Sequence, residues 1–267
     1  MELSGRHIVV TGGAGGIGSA LSRRFAQEGA RAVIVADRDL GKAELLAGEI
    51  GETALAVEFD ASREDSVKAL IATAQDAGGA IDIFVSNAGV PGGAGGPAET
   101  SDDQLDEAWR VNVMAHVWAS RALLPEMIAR GEGYLINTAS AAGLLTQVSS
   151  VGYSITKHAA VALAEWMAIE YREAGIRVSC ICPQGVRTPM LELAMDDAAG
   201  AAALTAGGLI EPDDVAEAVV AGIADERLLI LPHPEVAQFM ALKGSDPERW
   251  IGGMRKLVRN ARAAAGE

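Results

Sequence analysis

Apolar residues along the chain fall into two alternating rhythms. The first is a short continuous run: RHIVVT at 6–11, RAVIVAD at 31–37, ALAVEFD at 54–60, IDIFVSN at 81–87, GYLINTAS at 133–140, IRVSCICP at 176–183 and RLLIL at 227–231. Runs of this length without polar alternation predict strands that are covered on both faces. The second rhythm is the four-residue repeat of Ile17, Leu21 and Phe25, an amphipathic helix that Gly29 stops. The same reading predicts helices over 40–50, 63–77, 101–130 and 151–174, and another from Pro212. Ser101 and Gln104 stand at capping-box spacing, and Pro212 suits a first helical position. Strands alternating with helices of this length predict an α/β protein. We read a single doubly wound domain over 1–267, with about seven parallel strands and helices on both faces. Residues 188–210, rich in Ala, Met and Gly, read as an irregular or loosely helical loop. Residues 233–267 read as a helical tail whose Phe239, Met240, Trp250 and Met254 require burial.

Chemistry enters directly after the first strand, at TGGAGGIG, residues 11–18. Dense glycine allows a sharp turn and close approach of a ligand, and the helix that follows offers free N–H groups and a positive dipole end. Gly12, Gly16 and Gly18 are spaced G-x-x-x-G-x-G, and no Gly-Lys-Ser/Thr of an ATP-type loop follows. The alternative is a tight turn with no ligand, and its place between strand and amphipathic helix favours a dinucleotide. Asp37 ends the second strand, where a carboxylate accepts hydrogen bonds from ribose hydroxyls and repels a 2′-phosphate. Arg38 beside it is ambiguous, because an arginine there is able to face that phosphate. The balance predicts NAD(H) over NADP(H), with a helix N-cap as the competing role for Asp37.

Tyr153 and Lys157 lie one helical turn apart in YSITK. Alone they read equally as a solvated surface pair. The whole set of motifs, in order, resembles the short-chain dehydrogenase/reductase family. TGGAGGIG is similar to its T-G-x-x-x-G-x-G, SNAG at 86–89 to its N-N-A-G, and YSITK to its Y-x-x-x-K. Asn112 matches the family's helix asparagine, Ser140 stands thirteen residues before Tyr153, and CPQGVRTP keeps Pro183, Gly185 and Thr188. The resemblance covers 1–232, and departs at Ser86 and at Gln184, which replaces a frequent glycine. It implies a Rossmann-like fold and four catalytic residues, Tyr153, Lys157, Ser140 and Asn112. Tyr153 would be the acid/base. Its pKa of about 10 must fall toward neutrality, which the Lys157 ammonium and a positive nicotinamide ring favour. Ser140 would donate to the substrate oxygen, and Asn112 would help hold a water chain. Cofactor contacts are implied at Gly12, Gly16, Ile17, Gly18, Asp37, Arg38, Asp60 and Ala61, at Asn87, Ala88 and Gly89, at Tyr153 and Lys157, and at Pro183, Val186 and Thr188. Ser140, Gln147, Tyr153 and Gln184 are the substrate candidates.

The reading that results is an NAD(H)-dependent enzyme interconverting a largely apolar alcohol, secondary by preference, and its ketone. Reduction of a 3-oxoacyl thioester with NADPH is the second reading, and a silent nicotinamide-sensing regulator a third. The net charge of −14 argues against nucleic acid or an anionic membrane as partner. Arg255, Lys256, Arg259 and Arg262 read as a solvated face of the tail. His116, His158 and His233 lack metal spacing and read as structural or surface residues, so no metal is expected. Cys180 and Cys182, on alternate residues, read as reduced thiols, and the chain shows no signal peptide or membrane span, so the cytoplasm is expected. Val113, Trp118, Ala162, Trp166, Met167 and Ile169 exceed what one core face needs. With the family's habit of pairing through its long middle helices, the resemblance implies a homotetramer, or a dimer, built on those two helices.

Overall fold

The computed structural model describes residues 1–266. Seven strands form one parallel sheet: β1 (His7–Thr11), β2 (Ala32–Asp37), β3 (Ala54–Glu58), β4 (Ile83–Ser86), β5 (Gly133–Thr138), β6 (Ile176–Ile181) and β9 (Leu229–Ile230). Their order across the sheet is β3-β2-β1-β4-β5-β6-β9. The order reverses between β1 and β4, so the chain leaves these neighbours toward opposite edges and a crevice opens at their carboxyl ends. Two further strands, β7 (Gly185–Val186) and β8 (Leu209–Ile210), make a small separate ladder.

Each face of the sheet carries its own core. One is built on Leu21 and Phe25 of α1 (Gly16–Gln27) with Val215, Val219 and Ile223 of α10 (Pro212–Ala224). α2 (Leu40–Ile50) adds Ala43 and Leu46 to it. The other face is covered by α3 (Glu64–Gly78), α5 (Ala115–Arg130) and α7 (Val151–Tyr171). Burial on both faces explains why the strands read as unbroken apolar runs.

The helix foreseen over 101–130 forms with a defect in it. α4 (Asp102–Trp109) starts at the Ser101–Gln104 capping box, and α5 ends at Arg130. Between them Arg110–Met114 widen into a π-helical turn. Such a bulge carries no signature in apolar periodicity, and it re-aims one side chain, here Asn112. The 188–210 segment is more ordered than its composition implies. Thr188 and Asp197 cap two short helices, α8 (Pro189–Ala194) and α9 (Ala198–Thr205), through their side chains. The tail forms α11 (Glu235–Ser245) and α12 (Pro247–Ala265). Val236, Phe239, Met240 and Trp250 pack on Ala141 and Leu145 next to α6 (Ala142–Leu145), and Lys243 Nζ donates to Leu144 O at 2.6 Å. The tail therefore closes over the crevice side of the sheet.

Candidate active site

The carboxyl ends of β1, β4, β5 and β6 deliver Gly12, Asn87, Ser140 and Pro183 to one cavity of about 450 Å³. Gly16, Ile17, Arg38, Ala88, Gly89, Gln147, Tyr153, Lys157, Gln184, Val186 and Thr188 complete its wall among the residues read from sequence. Gly18, Asp37, Asp60, Ala61 and Asn112 lie outside that wall, and each has a different task.

α1 has Gly15 as its N-cap, with no side-chain cap and no acidic residue in the first turn. Its first amides are thus left for a ligand. A side chain at Gly15 would meet nothing within 4 Å, so the glycine keeps space open rather than relieving a clash. Gly12 has φ +59°, and a Cβ there would sit 2.9 Å from Ala88 Cα. At Gly18 a Cβ would lie 2.0 Å from Gly12 O, so Gly18 lets the helix pack onto the loop. An open, uncapped helix N-terminus at the head of a cavity of this length fits the diphosphate of a dinucleotide.

Asp37 does not cap α2. Asp39 does, accepting from Lys42 N at 3.1 Å. The Asp37 carboxylate instead accepts from Ala14 N and from Asp39 N, each at 3.1 Å, and so ties the glycine loop to the end of β2. Asp60 turns inward on its own loop, accepting from Ser62 N at 2.9 Å and Ser62 Oγ at 2.7 Å, and Ala61 is buried.

α7 presents its first turn to the cavity. Ser150 caps it, accepting from Tyr153 N at 3.3 Å while donating to Pro91 O and Gly93 O at 3.0 and 2.7 Å. The segment before it, 146–150, carries Thr146 and Ser149 at φ +76° and +71°, strained positions for side-chain-bearing residues at a cavity rim. Lys157 is buried, donates to Thr138 O at 2.9 Å, and stands 5.5 Å from the centroid of the Tyr153 ring. Ser140 Oγ donates to Pro183 O at 3.3 Å and accepts from Ala142 N at 3.1 Å, bridging the ends of β5 and β6. Asn112 is fully engaged. Its amide donates to Val90 O at 2.9 Å and Thr156 Oγ1 at 3.1 Å, and its Oδ1 accepts from Val90 N at 2.9 Å. The π turn aims it behind Lys157, as a clasp between the loop after β4 and α7.

Burial sets the electrostatics of the phenol and the ammonium. Burial pushes the Tyr153 phenol above its ordinary value, and the nearby Ser140 hydroxyl pulls it back only in part. Burial also lowers Lys157 to about 8, against a weaker upward pull from Cys180 and Cys182.

A second cavity, of about 600 Å³, shares Ser140, Gln147, Gln184 and Leu204 with the first. The Gln147 backbone is fixed to α7: its N–H donates to Ser154 Oγ at 2.9 Å, and Ser154 Oγ donates back to Gln147 O at 2.8 Å. The Gln184 side-chain N–H donates to Ala203 O at 2.7 Å, binding α9 to the loop after β6, while its Oε1 is buried without a partner. Its backbone N–H donates to His233 Nδ1 at 3.1 Å. His233 is thereby a structural residue, and burial lowers its pKa. His158 Nδ1 pairs with Ser154 O at 2.8 Å. His116 is buried with neither ring nitrogen partnered, and burial drives it down to about 3. Among the described residues no three His, Cys, Asp or Glu side chains gather as metal ligands, and no helix is long and apolar enough to cross a membrane. Cys180 and Cys182 are free and buried, with their sulfurs 3.7 Å apart.

Comparison with known proteins agrees with this geometry. Residues 6–199 match the family model described as short chain dehydrogenase. The chain is 36% identical over 240 residues to a 1-deoxy-11-beta-hydroxypentalenate dehydrogenase of Streptomyces exfoliatus, covering 88% of this chain and 86% of the relative. Among solved structures, a short chain dehydrogenase/reductase from Burkholderia phymatum in complex with NAD superposes with a TM-score of 0.84 and 30% identity, over 93% of this chain and 96% of that one. A 3-ketoacyl-(acyl-carrier-protein) reductase from Brucella melitensis complexed with NADH gives a TM-score of 0.75 and 32% identity, over 86% and 96%. The chain belongs to the short-chain dehydrogenase family and is an oxidoreductase that binds a nicotinamide cofactor.

The Lys157 environment makes a measurable prediction. The unfolded chain holds the lysine proton up to its ordinary 10.5, whereas the folded one releases it near 8, so stability is lowest below 8 and rises with pH across that interval. NMR of side-chain-labelled lysine should show one ammonium titrating near 8 that is missing in Lys157→Met.

Proposed function

We propose that the protein interconverts a largely apolar secondary alcohol and its ketone with NAD(H), as one catalytic unit spanning the chain. The observation that carries this reading is the convergence of Ser140, Tyr153 and Lys157 on one cavity that opens through Ser140 into a second, chiefly apolar one. The nicotinamide supplies the hydride chemistry when bound. Gly12, Gly16 and Ile17 would hold its diphosphate, Asn87, Ala88 and Gly89 its adenine-side ribose, and Pro183, Val186 and Thr188 its carboxamide. Asp60 and Ala61 border the adenine by family resemblance alone.

The chain's own groups handle the proton and the oxygen. The Tyr153 hydroxyl gives its proton to the ketone oxygen, or takes one from the alcohol. The Ser140 hydroxyl donates to that oxygen and steadies developing charge. Lys157 holds positive charge beneath the ring, and Asn112 acts as a positioning residue through Val90 and Thr156. All four positions carry the expected residue types, which disfavours a silent cofactor sensor. Similarity to a 3-ketoacyl carrier-protein reductase supports reduction of a 3-oxoacyl thioester as the second reading. Buried free thiols suit a reducing compartment, and we place the protein in the cytoplasm.

NAD(H) preference rests on Asp37, whose carboxylate sits between the glycine loop and β2, against Arg38 on the cavity wall. Self-association rests on α7. Val113, Trp118 and Met167 turn out to be core residues, but Ile155, Ala162, Trp166 and Ile169 form an exposed stripe, with Ile169 81% exposed. A stripe of this kind is what a second copy covers, and we propose a homotetramer, with a dimer second.

Tyr153→Phe should lower kcat about 10²–10⁴-fold over a panel of alcohols and ketones followed by NADH absorbance, while NADH still binds. Unimpaired turnover would sink the mechanism. NAD⁺ should bind at least about tenfold tighter than NADP⁺ in a fluorescence titration, and Asp37→Ser should narrow the gap. Tighter binding of NADP⁺ by the native protein overturns the assignment. Light scattering should give four times, or twice, the single-chain mass, and Trp166→Glu with Ile169→Glu should reduce it; a native monomer refutes the assembly.

A further inference from the structure

The second cavity has a feature that hydride transfer does not require. Its floor is Ser140, Ala142 and Leu145, one side is α9, and its roof is the tail, with Phe239 and Trp250. Among the described residues its only charged wall residues are Arg249 and Lys256, both from α12. None of the described residues that line it carries a carboxylate, in a chain with 36 acidic and 22 basic residues. The two cations are seven residues apart, two helical turns or about 10 Å on one face. Among the described residues neither makes an ion pair, and Arg249 bonds only through its backbone N–H, to Asp246.

Between them on the cavity wall lie Gly252 and Gly253. Glycine is a poor helix former, and two in succession inside α12 call for a reason. Packing does not supply one, since a Cβ at either would meet nothing within 4 Å. Backbone conformation does not either, because neither has a positive φ. What the two glycines do is leave cavity space between the cations.

We propose that the substrate is an apolar hydroxy or oxo acid. Its carbonyl end lies at Ser140 and Tyr153, and its carboxylate, at the remote end, is received by Arg249 and Lys256 over the surface of Gly252 and Gly253. This rests on the dehydrogenase reading and adds to it a substrate class. Both cations line the cavity and both residues are exposed, which is the arrangement in which an apolar stem follows the wall and the charged head reaches water. A carboxylate there would meet two cations that have no acidic partner among the described residues, in charge-assisted hydrogen bonds. The neighbouring Arg255, Arg259 and Arg262 face a different groove, with Val148 and Val258, and take no part.

The test compares ketones that share one methyl-ketone end: 9-oxodecanoate, methyl 9-oxodecanoate and 2-decanone, each reduced by NADH with one proton to the alcohol and NAD⁺. The acid should exceed the ester in kcat/KM by about tenfold or more, chiefly through KM, and Arg249→Met with Lys256→Met should bring the ratio near one. Methionine keeps the apolar stem, and Arg255→Met, in the outer groove, should leave the ratio as it was. A native ratio near one, or one that survives the double substitution, overturns the proposal while Tyr153-dependent reduction of 2-decanone keeps the dehydrogenase reading intact. Faster turnover of acetoacetyl-coenzyme A than of the oxo acid assigns the cations to a carrier phosphate and also overturns it. Should none of these ketones turn over, tryptophan quenching decides: decanoate must bind about tenfold tighter than decan-1-ol, and lose that margin in the double variant.

Discussion

Strands β1 and β4 are neighbours whose following helices leave in opposite directions, and one hydroxyl holds their ends together. Thr11 Oγ1 donates to Val85 O at 3.2 Å and accepts from Asn87 N and Ala88 N at 2.9 and 3.1 Å. The Asn87 amide returns the contact, donating to Thr11 O at 3.0 Å and Gly12 O at 3.3 Å. The crevice between the two loops therefore has a fixed width at its base. The glycine loop, the Asn87–Gly89 segment and, through Val90, the Asn112 clasp are all referred to this point. From Asn112 the constraint passes to Thr156 on α7, and so to Tyr153, one turn before it, and to Lys157, the next residue. A phenol and an ammonium are useful only when held at a fixed distance from a ligand, and backbone hydrogen bonds at strand ends supply that rigidity.

The site is assembled in a partly unfavourable state. Lys157 is buried with a single carbonyl partner, and Tyr153 is desolvated beside it. Burial of both lowers the stability of their charged forms, which is the condition under which a bound positive ring has the greatest effect on the phenol. The low-dielectric setting that makes the residues costly in isolation makes them responsive to a ligand. The tail contributes to the same end by covering the apolar cavity that the crevice opens into, where Phe239 and Trp250 find the burial that their sequence requires.

Much of this was legible in one sequence. Buried strands lack polar alternation because helices cover both faces, so Val9, Ile34, Phe84 and Leu135 announce themselves locally. The glycine loop is legible because only glycine tolerates the conformation at Gly12 and the contact at Gly18. Tyr153 and Lys157 are legible because helical spacing alone puts them on one side of α7. Other features have no local signal. The π turn at 110–114 leaves the sequence pattern of α4 and α5 undisturbed. Asp37 and Asp39 are equally good caps by type, and only the Ala14 N–H arriving from the glycine loop decides which carboxylate does which. Gln184, a substrate candidate, lines both cavities, and its amide N–H is held by Ala203 O, nineteen residues away in the chain, while its Oε1 has no partner.

The sequence by itself thus determined the order of strands and helices, the diphosphate cradle and the pairing of phenol with ammonium, because each depends on residues within a few positions of one another. The tertiary structure alone decided which titratable groups are desolvated, which polar side chains are already spent on neighbours, and what roofs the apolar cavity beside the crevice. Those properties depend on what the rest of the chain brings within a few ångströms, and no spacing along the chain encodes that distance.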